Sequence, residues 1–500
     1  MNTSRIRSIL LASFVTIGTL SAVACSNSPD NTDTIQNNNT TDTIFIESTE
    51  PHPYEEYDFE QQEFRILVSG TGYDGQQASI YTIVHDEETT GDIVREAVYK
   101  RNLSVEELLN VKLVFTESSD SYNDITNTLT NMISAGDDAY ELVIHDLFPL
   151  AAMSVNNYFA NVLDIEHLDF SQPYWYEDFM KDISFQSKEK RYLLAGDYFL
   201  DILRSSHALY VNKDMFTNLY DSTDVLYEHV LNGTWTQECF LTYIADTYQD
   251  LNGDGTQDAS DRYGYCYPSM WGPMIPWVVS SDITYLDYSE DGTPMFAMNN
   301  ERSVLLLERL NTIFHHQSSY NHGQNSSEST TAFINGNALF AGYHRVSSLE
   351  LFRDMEIDIG ILPYPKMDEG QDDYITSVHD TTNVGIIPNT CTKSDMLGVV
   401  LEVLSMETEK TVIPAYYETA LKVKYARDDQ SSQMLDIIRY HIDDVFPVAF
   451  NGYCSSVPLE KAFCIPLQKK STDFVSNYKR NEKYAQSKLD DLWEAFSSED

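Results

Sequence analysis

Oxygen-bearing side chains recur at regular spacing in the stretch 250–261, DLNGDGTQDASD. Gly255 holds position six and Thr256 offers its backbone carbonyl at position seven. The remaining candidate ligands, at positions one, three, five, nine and twelve, are Asp250, Asn252, Asp254, Asp258 and Asp261. Hard oxygen ligands at these offsets wrap one Ca²⁺, and glycine at position six permits the sharp turn. We therefore expect a lone structural calcium site, and the alternative is a metal-free turn rich in Asp and Asn.

A second group of side chains has the chemistry of a sugar site. Aromatic rings cover the apolar faces of a sugar, and polar groups bind its hydroxyls. The candidates are Trp175, Trp271, Trp277 and Tyr343 among the aromatic residues, and Asp146, Arg345 and Asp380 among the charged ones. For each Trp the alternative is packing in the core, and Trp235 is assigned to the core.

The first residues have the pattern of a secretory signal peptide. Arg5 and Arg7 precede an apolar run, and small residues follow it and end at Cys25. The run is too short for a comfortable membrane span. The small residues before Cys25 are similar to a bacterial lipobox, although Ala22 stands where that pattern favours Leu. We expect Cys25 to be the lipidated first residue after removal of 1–24, and the alternative is ordinary secretion after cleavage behind 22–24.

The stretch that follows Cys25 is polar. It is rich in Asn, Thr, Asp and Glu and poor in apolar residues, so it cannot bury enough surface to fold. We therefore expect 25–62 to be a lipidated cysteine with a disordered tether.

The other five cysteines do not form a disulfide framework, because their number is odd and their spacing is wide. Cys454 and Cys464 are near enough in sequence to pair, but two buried thiols are the expected state.

The net charge is strongly negative. The chain has 32 Lys and Arg against 78 Asp and Glu, which gives −46 at pH 7. A surface of this sign repels phosphate backbones, so nucleic acid is excluded as a partner.

Strands and helices alternate along the rest of the chain. We predict strands at 64–68, 111–115, 140–144, 337–342, 357–363 and 384–388, and helices at 91–109, 122–133, 347–355, 394–406 and near the C-terminus. This order is typical of α/β folds, in which ligands bind beyond the carboxyl ends of strands. Asp146 follows a predicted strand, so it is a candidate contact, with a helix N-cap as the alternative. No linker separates domains, which favours a chain that crosses between them more than once.

Several local motifs occur in an order that resembles one family. They are LAGD at 194–197 with LYVNKD at 209–214, GTWT at 233–236, the strand–helix–strand pattern at 337–365, and the segment 414–428. From about residue 64 to the end, the chain resembles the maltose-binding-type solute-binding lipoproteins of ABC importers (extracellular solute-binding protein family 1) from Gram-positive bacteria.

The resemblance implies a two-lobed α/β fold of the periplasmic-binding-protein type (type II), with a ligand cleft and a hinge between the lobes. The first lobe would comprise 63–197 and 363–410, and the second 198–362 and 411–500, including the calcium-type loop. Tyr343 then falls where the family places an aromatic residue that stacks on the sugar, and Tyr267 lies near another contact of the second lobe.

The function implied is that of a monomeric, lipid-anchored protein on the outer face of the bacterial cell membrane. It would bind a small solute, a mono- or oligosaccharide, and deliver it to an ABC permease without catalysis. The alternatives are a calcium-dependent glycan-binding or scaffold lipoprotein and a glycan-active enzyme. No catalytic motif is present, and no pair of carboxylates can be singled out among the 78 acids.

Overall fold

A computed structural model describes residues 52–70, 92–118, 122–258, 260–268, 272–321, 331–352, 355–421 and 429–497. The chain from His52 onward belongs to one compact unit. The predicted signal peptide 1–24, Cys25, most of the predicted tether and Trp271 lie outside the described residues. Within the described ranges, none of the helices has the length and apolar character that crossing a membrane needs.

Twelve strands are described: β1 Gln62–Ser69, β2 Val111–Ser118, β3 Leu142–Asp146, β4 Leu193–Leu194, β5 His207–Asn212, β6 Tyr263–Tyr267, β7 Leu286–Tyr288, β8 Pro294–Phe296, β9 Ser319–Asn321, β10 Ala338–Arg345, β11 Ile359–Leu362 and β12 Asn383–Ile386. The first sheet has the order β2-β1-β3-β12-β4, and the second has the order β11-β5-β10-β6-β9. Strands β7 and β8 form a separate hairpin.

Both sheets mix parallel and antiparallel pairs. In the first sheet β1 runs parallel to β2 and β3, while β12 runs antiparallel to β3 and β4. In the second sheet β5 runs antiparallel to β10 and β11, while β6 runs parallel to β10 and β9. Every residue of β3 and β5 is buried. The burial of every position follows from cover on both faces of the sheets.

Eighteen α-helices have defined bounds among the described residues: Ile93–Leu109, Tyr122–Ser134, Leu147–Met153, Glu177–Asp182, Asp201–Arg204, Lys213–Tyr220, Asp224–Leu231, Gln237–Ile244, Ile275–Val279, Glu301–Phe314, Ser348–Leu351, Ser394–Glu407, Ile413–Leu421, Asp429–Tyr440, Phe446–Ala449, Ile465–Gln468, Phe474–Lys479 and Glu482–Ser497. Two π-helical segments, Thr408–Val412 and Val457–Cys464, precede helices of this set. Side chains cap several helices. The Asp92 carboxylate, for example, accepts from the backbone N–H groups of Val94 and Arg95 at 3.1 Å each.

The predicted elements are found with ends shifted by a few residues, with one exception. Of the expected helix at 347–355, Ser348–Leu351 is helical, and 353–354 lie outside the described residues. The two-lobed α/β architecture that the sequence predicts is confirmed.

The end of the predicted tether is folded, which corrects the expectation for residues 52–62. Tyr57 and Phe59 pack against the core, and the Phe59 N–H donates to the Leu109 carbonyl at 3.0 Å. These aromatic residues supply the apolar surface that the polar stretch before them lacks.

The chain crosses between the two sheets twice, through residues 195–206 and 363–382, which we call the crossing segments. They meet at an antiparallel bridge between Ser206 and Val378. The His207 N–H donates to the Ser377 carbonyl at 2.8 Å, and the His379 N–H donates to the Ser205 carbonyl at 3.0 Å. These bonds tie the two crossing segments together at the point where the sheets are joined.

The C-terminal part contacts elements beside both sheets. The helix Ile413–Leu421 packs on Ile93–Leu109, next to the first sheet, and Phe474–Lys479 packs on Glu301–Phe314, next to the second. The division into 63–197 with 363–410 and 198–362 with 411–500 therefore stays a prediction.

Candidate functional site

A small pocket lies beside the crossing segments. It is lined by His207, Ile275, Tyr343, Val378, His379, Asp380, Val448 and Leu459, and we call it the hinge pocket. Its volume is about 240 Å³ when the part open to solvent is included, but only about 10 Å³ admits the centre of a water molecule. That is room for about one water. A larger ligand therefore enters only when the walls of the hinge pocket move apart.

Tyr343 occupies an unusual backbone position in the hinge pocket. Its φ of 62° lies in the left-handed region, which non-glycine residues seldom adopt. The cause is an irregularity in β10, where the pairing with β5 shifts between Ala341 and His344. The Tyr343 N–H turns away from the ladder and donates to the hydroxyl of Tyr364 at 2.7 Å. Such positions are often found at binding sites.

His207 lies against the ring of Tyr343. The ring centroids are 5.4 Å apart and the planes are inclined by 21°. His207 is buried, and its Nδ1 contacts the Ser377 hydroxyl at 2.9 Å. Burial, with the nearby charges of His379 and Arg345, holds the pKa of His207 well below its usual value. The imidazole is therefore neutral at neutral pH.

His379 and Asp380 complete the polar side of the hinge pocket. The Nδ1 atom of His379 lies 2.9 Å from the Asp380 carboxylate, and its Nε2 atom lies 3.4 Å from the Tyr343 hydroxyl. The Asp380 carbonyl accepts from the N–H of Phe148, just after β3 of the first sheet, at 3.1 Å. This contact sets the polar side of the pocket against the first sheet.

The other residues that line the hinge pocket are apolar. Ile275 comes from the helix Ile275–Val279 and Val378 from a crossing segment, while Val448 and Leu459 come from the C-terminal part of the chain. The lining of the pocket thus combines hydrogen-bonding and apolar side chains. This combination suits a small solute that has both polar and apolar faces.

Of the predicted ligand contacts, Tyr343 and Asp380 line the hinge pocket, while Asp146 and Arg345 lie outside its lining. Asp146 is buried and accepts a hydrogen bond of 3.1 Å from the Asn383 amide. Arg345 pairs with His207 in the second sheet and is partly buried.

Three predicted aromatic contacts are part of the core instead of the pocket lining. Trp277 is fully buried and donates to the Tyr265 hydroxyl at 2.9 Å. Trp175 donates to the Glu402 carboxylate at 2.9 Å, and Tyr267 donates to the Phe314 carbonyl at 2.8 Å. The core offers each ring apolar neighbours and its polar atom a partner. Trp235 is fully buried, as expected.

The loop 250–261 has the turns that a calcium loop needs. The Asp250 carboxylate accepts from the N–H groups of Gly253 at 2.6 Å and Gly255 at 2.8 Å. Both glycines have positive φ, 73° and 75°, and Asp261 is buried. This oxygen-rich donor set has the chemistry that Ca²⁺ prefers.

The carboxylates of this loop do not converge closely. The Asn252 amide donates to both Asp254 and Asp258, at 3.1 and 3.4 Å. Among the described residues, the one group of three acid, His or Cys ligand atoms within 4.8 Å of one another is Asp138, Glu141 and Cys391. Calcium binding would therefore require the Asn252 amide to move from its hydrogen bonds with these two carboxylates.

The group Asp138, Glu141 and Cys391 does not have the character of a metal site. Glu141 is buried and forms ion pairs with Arg65 and with Lys393. These cations already neutralise its charge. Among the described residues Cys391 lies outside any disulfide, as do Cys454 and Cys464, which are both buried.

Comparison with solved structures matches proteins that align over most of this chain. One is an uncharacterized protein from Listeria monocytogenes, with a TM-score of 0.53, 10% identity, and cover of 85% of this chain and 99% of that chain. A second is an ABC transporter solute-binding protein from Thermotoga lettingae bound with α-D-tagatose, with a TM-score of 0.50, 12% identity, and cover of 86% and 100%. The chain has the fold of a solute-binding protein.

A third match is UspC from M. tuberculosis, with a TM-score of 0.50, 12% identity, and cover of 85% of this chain and 100% of that chain. No protein-family model matches the sequence, and no curated protein matches it. The expected solute-binding fold is confirmed by structure, at sequence identities too low to carry a shared ligand.

Sequence reasoning missed His207 and His379 as residues of the site. His207 opens the apolar strand β5, and His379 stands in a polar stretch before Asp380. Neither has a motif around it. In this solute-binding fold they are brought together by the pairing of the crossing segments, which one sequence does not reveal.

Proposed function

We propose that this protein is an extracytoplasmic solute-binding protein that binds a mono- or oligosaccharide and delivers it to an ABC permease. The observation that carries the proposal is the position of the hinge pocket. It lies where the crossing segments join the two sheets, and it places Tyr343 beside His207, His379 and Asp380. An aromatic ring beside polar groups is the combination that sugars require.

The structural similarity to the tagatose-bound protein of Thermotoga lettingae supports a sugar as the ligand. It also supports binding without catalysis, since that protein is described as a solute-binding protein. Closure of the two lobes around the solute would be the working motion.

We also propose that the protein is held at the outer face of the cell membrane by a lipid on Cys25. The sequence before Cys25 supports this. The protein with Cys25 intact should sediment with membranes, and a Cys25→Ser variant should not. Recovery of both proteins in the soluble fraction would count against the anchor and leave the sugar-binding proposal untouched.

A thermal-shift screen tests the binding function. The purified protein would be heated in calcium with mono- and oligosaccharides, and with amino acids and peptides as controls. A bound solute raises the melting temperature by mass action, so we expect one class of sugar to do so. A test of that sugar for turnover separates binding from glycan hydrolysis. No shift with any sugar, for a protein that melts cooperatively, would contradict the proposal.

A further inference from the structure

We infer that His207, with His379 and Asp380, forms the hydroxyl-binding wall of the hinge pocket, and that this wall selects neutral monosaccharides over acidic sugars. The inference rests on the proposed function and assigns the ligand class within it. It adds His207 and His379 to the proposed ligand contacts, and it adds a preference for neutral sugars over acidic ones.

The first argument is the state of His207. The side chain is 98% buried, because its relative exposure is 2%. Its Nδ1 atom contacts Ser377, but its Nε2 atom is buried without a hydrogen-bond partner among the described residues. A buried polar atom left in this state is costly, and His207 lines the pocket. A ligand hydroxyl would satisfy Nε2 in either tautomer, because a hydroxyl both donates and accepts.

The second argument is charge. Neither Lys nor Arg is among the described residues that line the hinge pocket, and Asp380 is its one carboxylate. The Asp380 side chain is about one-third exposed and contacts Nδ1 of His379. Arg345 lies near enough to influence His207 but does not line the pocket. The lining therefore offers no Lys or Arg side chain to a carboxylate or phosphate, and a charge on the His379 imidazole is already paired with Asp380. The Asp380 carboxylate accepts hydrogen bonds from hydroxyls and repels anions.

The third argument is the enclosure of the hinge pocket. Its lining comes from the second sheet, a crossing segment and the C-terminal part of the chain. Walls on several sides favour a single sugar ring over an extended chain.

The test is a calorimetric titration of the full protein with matched pairs of ligands: neutral aldohexoses and ketohexoses, each against its uronic acid or sugar phosphate. We expect the neutral member of the best pair to bind at least about tenfold more tightly, which corresponds to about 1.4 kcal/mol. This comparison needs no variant, so a folding defect cannot obscure it.

A variant pair then isolates His207. His207→Phe keeps a ring against Tyr343 but removes Nε2, and we expect it to weaken sugar binding by about tenfold. His344→Phe is the matched control, since His344 is also buried in the second sheet with an unpartnered Nε2 but does not line the pocket. It should bind as the unaltered protein does.

The outcomes separate this inference from the proposed function. A sugar that binds equally well to His207→Phe, or an acidic sugar that binds more tightly than its neutral partner, would overturn the inference while sugar binding itself stands. A protein that melts cooperatively and binds no sugar of any kind would overturn both.

Discussion

The ring of Tyr343 is stacked on the imidazole of His207, with centroids 5.4 Å apart. The stack joins β10 to β5 at the end of the second sheet where the chain crosses to the first. It also covers one face of Tyr343, so a sugar can stack only on the other face. The position of the Tyr343 ring therefore determines whether the hinge pocket can hold a ligand.

Gly272 keeps space for this ring. A Cβ atom at Gly272 would lie 2.2 Å from the Tyr343 hydroxyl oxygen and 2.6 Å from its Cζ atom. Gly272→Ala should displace the ring and weaken binding of the sugar found in the screen by about 1 kcal/mol, the usual size of one aromatic contact. Gly452→Ala is the control, because a Cβ there meets no atom within 4 Å. Titration of both variants checks this, and equal affinities would refute it.

The buried ion pair of Arg439 with Asp197 should dominate the stability of the C-terminal part. The Arg439 Nε donates to Asp197 at 3.2 Å, a second bond joins Nη2 to the other carboxylate oxygen, and Tyr176 donates to the same carboxylate at 2.8 Å. Arg439→Met keeps the length of the side chain but leaves the Asp197 charge uncompensated. We expect it to lower the free energy of unfolding by about 3–5 kcal/mol.

Denaturant unfolding measures that loss. Lys488→Met is the control, because Lys488 pairs with Asp491 on the surface at 2.8 Å, where an ion pair contributes little. Equal unfolding midpoints for Arg439→Met and the unaltered protein would show that the buried pair is dispensable.

Because of the buried His344, the stability of the protein should fall as the pH falls below neutral. Burial lowers its pKa from 6.5 to about 4, so the unfolded chain takes up the proton first as the pH falls. The contribution of neutral His344 to the free energy of unfolding is complete above pH 6.5. It is lost toward pH 4, by up to about 1.4 kcal/mol per pH unit. His344→Phe should make this slope shallower in unfolding measurements between pH 7 and 5. Unchanged slopes would mean that His344 titrates as it does in the unfolded chain.

The calcium proposal can be tested at Asp258. Its carboxylate accepts from the Ser260 N–H at 2.7 Å, and Asp258→Asn keeps that acceptor but removes a charge from the loop. We expect millimolar Ca²⁺ to stabilise the unaltered protein, by about 2.7 kcal/mol at one hundred times Kd. The variant should bind Ca²⁺ at least about tenfold more weakly and show the same stability without the ion. A melting temperature insensitive to Ca²⁺ in the unaltered protein would exclude the site.

The alternation of helices and strands could be predicted because the predicted strands are short apolar or alternating runs bounded by turn residues. Of the helix expected at 347–355, Ser348–Leu351 is helical among the described residues. Residues 52–62 were assigned to the tether because composition does not reveal which aromatic side chains find a partner in the core.

The candidate site was only partly predictable. Tyr343 was named as an aromatic residue at the end of a predicted strand, at the position that the family resemblance implies, and Asp380 as a polar candidate; both line the hinge pocket. Trp175 and Trp277 are equally suited by residue type to stack on a sugar. In the structure their indole N–H groups donate to Glu402 and Tyr265 inside the core. Which aromatic ring faces a pocket depends on contacts between distant parts of the chain. His207 and Ser377, for example, are 170 residues apart.

Hydrogen exchange with and without the sugar found in the screen tests most directly whether the ligand binds at the hinge pocket. We expect slower exchange of backbone amides at 205–208, 342–345 and 377–381, because a bound solute would hold the crossing segments and the end of β10 together. Protection confined to other parts of the chain, or none at a saturating sugar concentration, would contradict binding at this site.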